Sequence, residues 1–228
     1  MSIRFLTTKK DWGMGLIGSE NRGFTLIELI ITISILAILV TILVVAINPA
    51  EQLARSRDSK RVADLDALKS SINLYLATAT GTINLDGNSS GNENQKCVNG
   101  TGNLTLWTNT DGAVSTSTFP TIVSGTRTDV FVTSSATSTQ TVGTAGWMPA
   151  KLTDTPGGSP IGTLPLDPSG QGAGTTYYYS YACEKNNKQF ELGAMLESTY
   201  FLTDLDLDGK DGGASSTRYE TGSNMTLL

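Results

Sequence analysis

The stretch that decides the fold is RGFTLIELIITISILAILVTILVVAI, residues 22–47. From Phe24 to Ile47 it runs for 24 residues, of which Glu28 is the only charged one. As a helix, this run would be about 36 Å long, enough to cross the hydrocarbon core of a bilayer. A secretory signal usually has a shorter apolar region with a small residue after it, whereas Gly23 precedes this one. The run therefore predicts a helix that stays in the membrane.

Glu28 needs an explanation, because an ionised side chain at bilayer depth costs on the order of 2–3 kcal/mol on insertion scales. One explanation is that the carboxylate lies in the first helical turn and gains about 0.3–1 kcal/mol from the helix dipole. The other is that a positive charge on a second molecule meets it, since a buried carboxylate is tolerated when an opposite charge neutralises it.

The hexapeptide GFTLIE, Gly23 to Glu28, followed by an unbroken apolar helix, resembles the N-terminal signal of type IV pilins and type II secretion pseudopilins. The resemblance implies that a prepilin peptidase cuts after Gly23 and methylates the new N-terminus, Phe24. It also implies that Glu28 pairs with the terminal amine of a neighbouring subunit in a helical filament. Such filaments are built by an inner-membrane assembly platform and a cytoplasmic ATPase, which are therefore the expected partners.

The helix is expected to continue past the membrane to about Ala79, with a bend near residues 46–49. Many pilins bend this helix with a proline at the position of Val45, whereas here Pro49 follows Asn48. A proline inside a helix removes one hydrogen bond and bends the preceding turn. Beyond the bend, apolar residues recur at three- and four-residue steps, which predicts one buried stripe for a sheet to cover. The stripe consists of Leu65, Leu68, Ile72, Tyr75, Leu76 and Ala79.

A basic cluster, RSRDSKR at residues 55–61, lies on the same helix. Opposite charges in and beside this cluster lie three or four residues apart, as in Glu51–Arg55 and Asp58–Arg61, so they can pair along the helix. The spacing predicts a solvated helix face. Lipid headgroups and, less favoured, DNA are the alternative partners of this cluster.

The region after residue 80 is rich in Thr, Ser, Gly and Asn, which is typical of loops and β-structure. Short strands are expected at residues 104–107, 119–123 and 129–133. Residues 176–183 (TYYYSYAC) and 189–196 (QFELGAML) alternate apolar and polar side chains around a short loop. They predict an antiparallel hairpin whose aromatic ladder packs in the core.

These patterns predict an α+β fold, in which a long N-terminal helix packs on a small antiparallel β-sheet head, and the resemblance implies that the layout is pilin-like. The expected segments are a cytoplasmic leader, residues 1–23, and a transmembrane polymerisation helix, residues 24–47. The amphipathic half of the same helix, residues 48–80, and an exported head, residues 81–228, follow. Basic residues are equally frequent before and after the apolar run and do not settle topology. The polar composition of the head predicts that the N-terminus lies on the inner side of a bacterial cytoplasmic membrane and the head on the outer side.

The two cysteines, Cys97 and Cys183, lie 86 positions apart. An even number in an exported domain favours a disulfide, and two unlinked thiols are the alternative. A bond between them would restrain a long loop and contribute about 4 kcal/mol to stability.

An acidic loop, DLDLDGKDGG, occupies residues 204–213. Alternating carboxylates around a glycine turn suit Ca²⁺, which takes six to eight oxygen ligands. The loop is not an EF-hand, because Ser215 occupies the twelfth position, where a bidentate Glu would be expected. The loop resembles the calcium-binding loop that major pseudopilins have near their C-terminus. We therefore expect a structural calcium site, with a solvated acidic turn as the alternative; its ligands would be Asp204, Asp206, Asp208 and Asp211.

The amino-acid composition argues against two classes of function, catalysis and nonspecific DNA binding. The sequence contains no histidine, which removes the commonest general base and metal ligand and argues against an enzyme. A net charge of −5, which becomes −7 without residues 1–23, argues against nonspecific DNA binding. The sequence predicts a filament subunit and leaves open a type IV pilus or a type II secretion pseudopilus. The alternatives are a minor pilin for DNA uptake and a membrane-anchored extracellular enzyme that uses carboxylates or lysine.

Overall fold

The computed structural model describes residues 23–87, 97, 104–109, 130–134, 140–170 and 176–227. The chain divides into two units, of which the first ends at Ile47 and the second begins at Asn48.

The first unit contains helix α1, Leu26–Ile47. Its 22 residues correspond to about 33 Å of helix. Nearly all of them are Leu, Ile, Val or Ala, and none is buried within the chain. A helix that is apolar on every side cannot lie bare in water, so its surface must be covered by lipid or by other protein chains.

The predicted single helix is interrupted at Asn48, which has φ 47° and ψ 76°. Two local effects place the break there: proline disfavours helical backbone at the residue before it, and asparagine tolerates the left-handed region better than most residues. Helix α2, Pro49–Thr78, then starts with Pro49 at its first position, where the missing N–H costs nothing. The expected long N-terminal helix is confirmed from Leu26 to Thr78, and its one interruption, at Asn48, falls where a bend was expected.

Helix α2 carries the predicted apolar stripe into the core of the second unit. Leu65, Leu68, Ile72 and Tyr75 are fully buried, and Leu76 and Ala79 are partly buried against the same cluster. Burial of each large side chain contributes about 1.5–3 kcal/mol. The stripe prediction is confirmed.

The stripe packs on a five-stranded sheet with strand order β2-β1-β3-β4-β5. The neighbours β1, β3, β4 and β5 are antiparallel, as expected, and β2 adds a parallel strand at the edge. The strands are β1 Leu104–Thr108, β2 Val130–Ser134, β3 Tyr179–Cys183, β4 Phe190–Ala194 and β5 Tyr219–Gly222. The predicted strand at residues 119–123 lies outside the described residues.

The predicted hairpin is formed by β3 and β4, with Tyr181 opposite Leu192 and Cys183 opposite Phe190. Tyr179 and Tyr181 are fully buried, so the aromatic ladder is core packing, as predicted. Their hydroxyls are not left without partners: Tyr179 Oη donates to Asp64 at 2.7 Å, and Tyr181 Oη donates to the Leu85 carbonyl at 3.0 Å. The α+β class and the pilin-like layout of helix and sheet are thus confirmed.

Candidate functional site

The candidate site begins at Gly23 and Phe24, the predicted cleavage position. Phe24 is 80% exposed, and a Cβ built on Gly23 meets no described atom within 4 Å. Nothing in the described part of the chain therefore requires glycine at position 23. A requirement for glycine there would have to come from an enzyme that reads this peptide.

Helix α1 satisfies its own hydroxyl groups. Thr32, Ser34 and Thr41 each donate to a backbone carbonyl three or four residues earlier, at 2.7–2.8 Å. Such bonds let hydroxyl side chains lie in a bilayer or in a packed helical bundle without unsatisfied donors. Glu28 is the one ionisable side chain in α1, so it is the one polar group of this helix that calls for a partner outside the chain.

Thr25 caps α1, because its Oγ1 accepts a hydrogen bond from the Glu28 backbone N–H at 3.3 Å. A Thr followed three residues later by Glu is the sequence signature of a capping box, a signal that the sequence analysis did not use. The cap fixes the start of the helix and places the Glu28 carboxylate in its first turn. This position is close to Phe24, whose amine would become the N-terminus after cleavage.

Comparison with known protein families bears on this segment. Residues 19–44 match the family described as the prokaryotic N-terminal methylation motif. This chain carries the prepilin signal of the type IV pilin and pseudopilin family. Neither the curated proteins nor the solved structures that were searched gave a match. The match and α1 together fit membrane anchoring of this pilin-like chain, since α1 is long and apolar enough to cross a bilayer.

The head of this pilin-like chain is tied to α2 by a buried ion cluster centred on Arg61. Its guanidinium binds Asp167 through two bonds of 2.7 and 2.9 Å, Asp58 at 2.7 Å and Glu197 at 2.7 Å. Arg61, Asp58 and Asp167 side chains have no exposed surface. One arginine therefore joins α2 to two separate loops of the head.

Asp58 and Arg57 complete the cluster. The Asp58 carboxylate accepts the backbone N–H groups of Glu197 and Ser198, the shortest at 2.8 Å. Arg57, which is 35% exposed, holds the Glu197 carboxylate from the solvent side at 2.6 and 2.8 Å. The hydrogen bonds from Arg57, with those from Arg61, lower the pKa of Glu197 against the opposing effect of burial.

The prediction that residues 55–61 form a solvated helix face is wrong for Asp58 and Arg61, whereas Ser56, Ser59 and Lys60 are exposed. Asp58 and Arg61 are spaced as predicted and do pair, but both are buried under the head. Burial alone would lower the pKa of Arg61, and the bonds from Asp167 and Glu197 outweigh it and raise that pKa. The partner of Arg61 in the head is Asp167, in the turn PLDP. The spacing of charges along the helix could not reveal this partner.

In the acidic loop the four predicted calcium ligands are not drawn to one point. The chain makes a five-residue π-helical turn, Tyr200–Asp204, and then the short helix α3, Leu207–Lys210. Among the described residues, no group of three or more acidic or cysteine side chains is arranged to hold a metal ion. Asp206 instead lies 3.4 Å from the Lys210 ammonium group. Calcium binding by this loop stays a prediction.

Asp211 ties the acidic loop to the sheet. Its carboxylate accepts the backbone N–H groups of Gly213 at 2.8 Å and of Glu220, on β5, at 2.6 Å. Burial raises the pKa of Asp211, and these two bonds oppose that rise. The loop is thus tied to the sheet by a carboxylate bound to backbone amides.

The two cysteines, Cys97 and Cys183, form a disulfide with 4.8 Å between their Cα atoms. Cys183 ends β3 in the core, and Cys97 is only 2% exposed. The bond closes a loop with a sequence separation of 86.

We expect the double substitution Cys97→Ser/Cys183→Ser to lower the free energy of unfolding by about 2–5 kcal/mol, because the unfolded chain regains the freedom that the bond removes. Urea unfolding of detergent-solubilised protein, followed by tryptophan fluorescence, measures the change. Reduction of the wild-type protein is the control and should give a similar loss. A loss below about 1 kcal/mol in both would contradict a stabilising role.

Proposed function

We propose that this chain is a structural subunit of a type II secretion pseudopilus or of a type IV pilus-like filament. In this proposal a prepilin peptidase removes residues 1–23 and methylates Phe24, and the subunit then polymerises through α1. An inner-membrane assembly platform and a cytoplasmic ATPase drive the polymerisation, and the head faces the outside. The acidic loop is offered as a calcium site only on its sequence pattern.

The observation that carries the proposal is the surface of α1. Every described residue of this helix is exposed within the chain, and its one ionisable group lies in the first turn. The hydrocarbon chains of lipids can cover the apolar surface, but they offer no cation to Glu28. A second copy of the chain offers an apolar helix. Once residues 1–23 have been removed, it also offers the terminal ammonium group of Phe24.

The alternative of DNA capture loses support from the ion cluster. Arg57 and Arg61 bind carboxylates within the chain, so two cations of the basic cluster are not available to neutralise phosphates. The prepilin signal likewise points to a structural protein family.

The test is the mass of the chain isolated from cells with and without an active prepilin peptidase. We expect the peptidase to yield a chain that begins at Phe24 and carries one additional methyl group. Gly23→Val is the control: the structure leaves room for a side chain at this position, so folding should be unchanged while cleavage fails. Recovery of the intact wild-type chain from cells with the active peptidase would refute the proposal.

A further inference from the structure

The second unit exposes few large apolar side chains, and two of them lie close to the start of α2. Among its described residues, 48–87, 97, 104–109, 130–134, 140–170 and 176–227, those exposed are Leu53, Leu74 and Leu205. Leu53 is six positions after Ile47, where the apolar helix ends. Leu205 is 41% exposed and far from α2 in sequence.

Glu51 brings Leu205 to the start of α2. The Glu51 carboxylate accepts the backbone N–H groups of Thr199 at 3.2 Å and Tyr200 at 3.1 Å. These bonds lower the pKa of Glu51, with the Tyr200 amide making the largest contribution. The Leu205 N–H in turn donates to the Tyr200 carbonyl at 2.9 Å, closing the turn. Glu51, which binds this turn, is four residues from Ile47, so its backbone lies within about 14 Å of chain from the end of α1.

The turn presents an aromatic and aliphatic surface, which we name the Tyr200–Leu205 patch. It consists of the half-buried Tyr200, Phe201 and Leu202 and the exposed Leu205. The Tyr200 and Phe201 rings meet edge to face, 5.2 Å between centroids, and the Arg55 guanidinium stacks 4.5 Å from the centre of the Tyr200 ring. Aromatic rings beside aliphatic side chains and a basic group are typical of residues at the membrane–water interface.

We infer that the Tyr200–Leu205 patch rests in the headgroup region of the bilayer that α1 crosses. The short connection between α1 and Glu51, which binds the turn, supports lipid as the occupant of the patch. The neighbouring charges select the kind of lipid: Asp204 is exposed, and Asp206 is 48% exposed despite its pairing with Lys210. The cations of Lys210 and Arg55 are also partly exposed here, and a surface with both signs of charge fits a zwitterionic headgroup, which offers both, such as that of phosphatidylcholine. The inference rests on membrane anchoring of α1 and does not require filament assembly.

The test places an environment-sensitive fluorophore on the full chain in phosphatidylcholine nanodiscs. Leu205→Cys is labelled, and Phe201→Cys is labelled as a second site in case the first variant folds poorly. The native cysteines are joined and do not react. The matched control is Asn187→Cys, an exposed position in the loop between β3 and β4, at the opposite end of β4 from the patch.

We expect spin-labelled phosphatidylcholine to quench the label at position 205 or 201 at least threefold more than the label at position 187. Replacing half of the lipid by phosphatidylglycerol should reduce this difference. Equal quenching at all three positions would overturn the inference. So would a label at position 205 that becomes shielded only when filaments form, because the patch would then face a second copy of the chain. Failure of the labelled chains to co-purify with nanodiscs would overturn the anchoring on which the inference depends.

Discussion

Replacing Glu28 by leucine should abolish filament assembly while leaving the subunit in the membrane. In the proposed filament the terminal ammonium group at Phe24 would lose its carboxylate partner, and an unpaired charge of this kind costs about 3–5 kcal/mol. Such a loss would raise the subunit concentration needed for assembly by more than about 100-fold. The isolated subunit would gain, because leucine costs less in lipid than an ionised carboxylate. The measurement is the ratio of subunit in sheared filaments to subunit in membranes, with complete leader removal verified by mass.

Two control variants separate charge pairing from helix capping. Glu28→Gln keeps the shape of the side chain without its charge and should fail almost as severely as leucine. Thr25→Val keeps the carboxylate and removes the Oγ1 that accepts the Glu28 N–H; a lost cap costs about 0.5–2 kcal/mol, much of it already in the monomer. We therefore expect this variant to assemble within a few-fold of wild type. If Glu28 served the helix dipole alone, leucine would change the yield by no more than about fivefold.

Local patterns predicted the elements of this fold well. The apolar run gave α1, the three- and four-residue spacing gave the buried stripe of α2, and period-two alternation gave the hairpin of β3 and β4. Each of these signals is contained in one short segment, because helix and strand geometry repeat over a few residues. The prepilin signal is equally local, and it was recognised from the peptide between Gly23 and Glu28 alone.

The errors arose where distant segments meet. The sequence suggested that Asp58 and Arg61 were an ordinary solvent-exposed pair, because nothing in α2 shows that Asp167 lies opposite them. For the acidic loop, composition predicts a calcium site, which stays a prediction, but it could not reveal that Asp211 binds the backbone amide of Glu220 on β5. The break at Asn48 is the exception, since the pair Asn-Pro announces it locally. The sequence predicts only a bend at this point, because a proline does not specify that the residue before it adopts a left-handed conformation.

The ion cluster yields the largest effect on stability. Replacing Arg61 by methionine should lower the free energy of unfolding of the head by about 3–5 kcal/mol, since it leaves the buried Asp58 and Asp167 carboxylates without their cation. For a domain of this size the melting temperature should fall by about 6–20 °C. Arg61→Lys should recover little, because one ammonium group cannot make the two-pronged bond to Asp167 while also reaching Asp58 and Glu197. Thermal unfolding of the detergent-solubilised chain, followed by tryptophan fluorescence, measures the difference.

Arg57→Met is the matched control, because it removes the same kind of side chain about one helical turn away, on the solvent side of the cluster. Arg57 is 35% exposed. Of the three carboxylates that Arg61 binds, Arg57 binds one, that of Glu197. A partly exposed pair of this kind contributes about 0–1 kcal/mol, so the melting temperature should fall by less than about 4 °C. Equal losses in the two variants would mean that net charge on α2, and not the buried bonds of Arg61, holds the head to this helix. The expected difference between them would instead establish that burial converts an ordinary helix-surface pair into the main link between α2 and the loops around it.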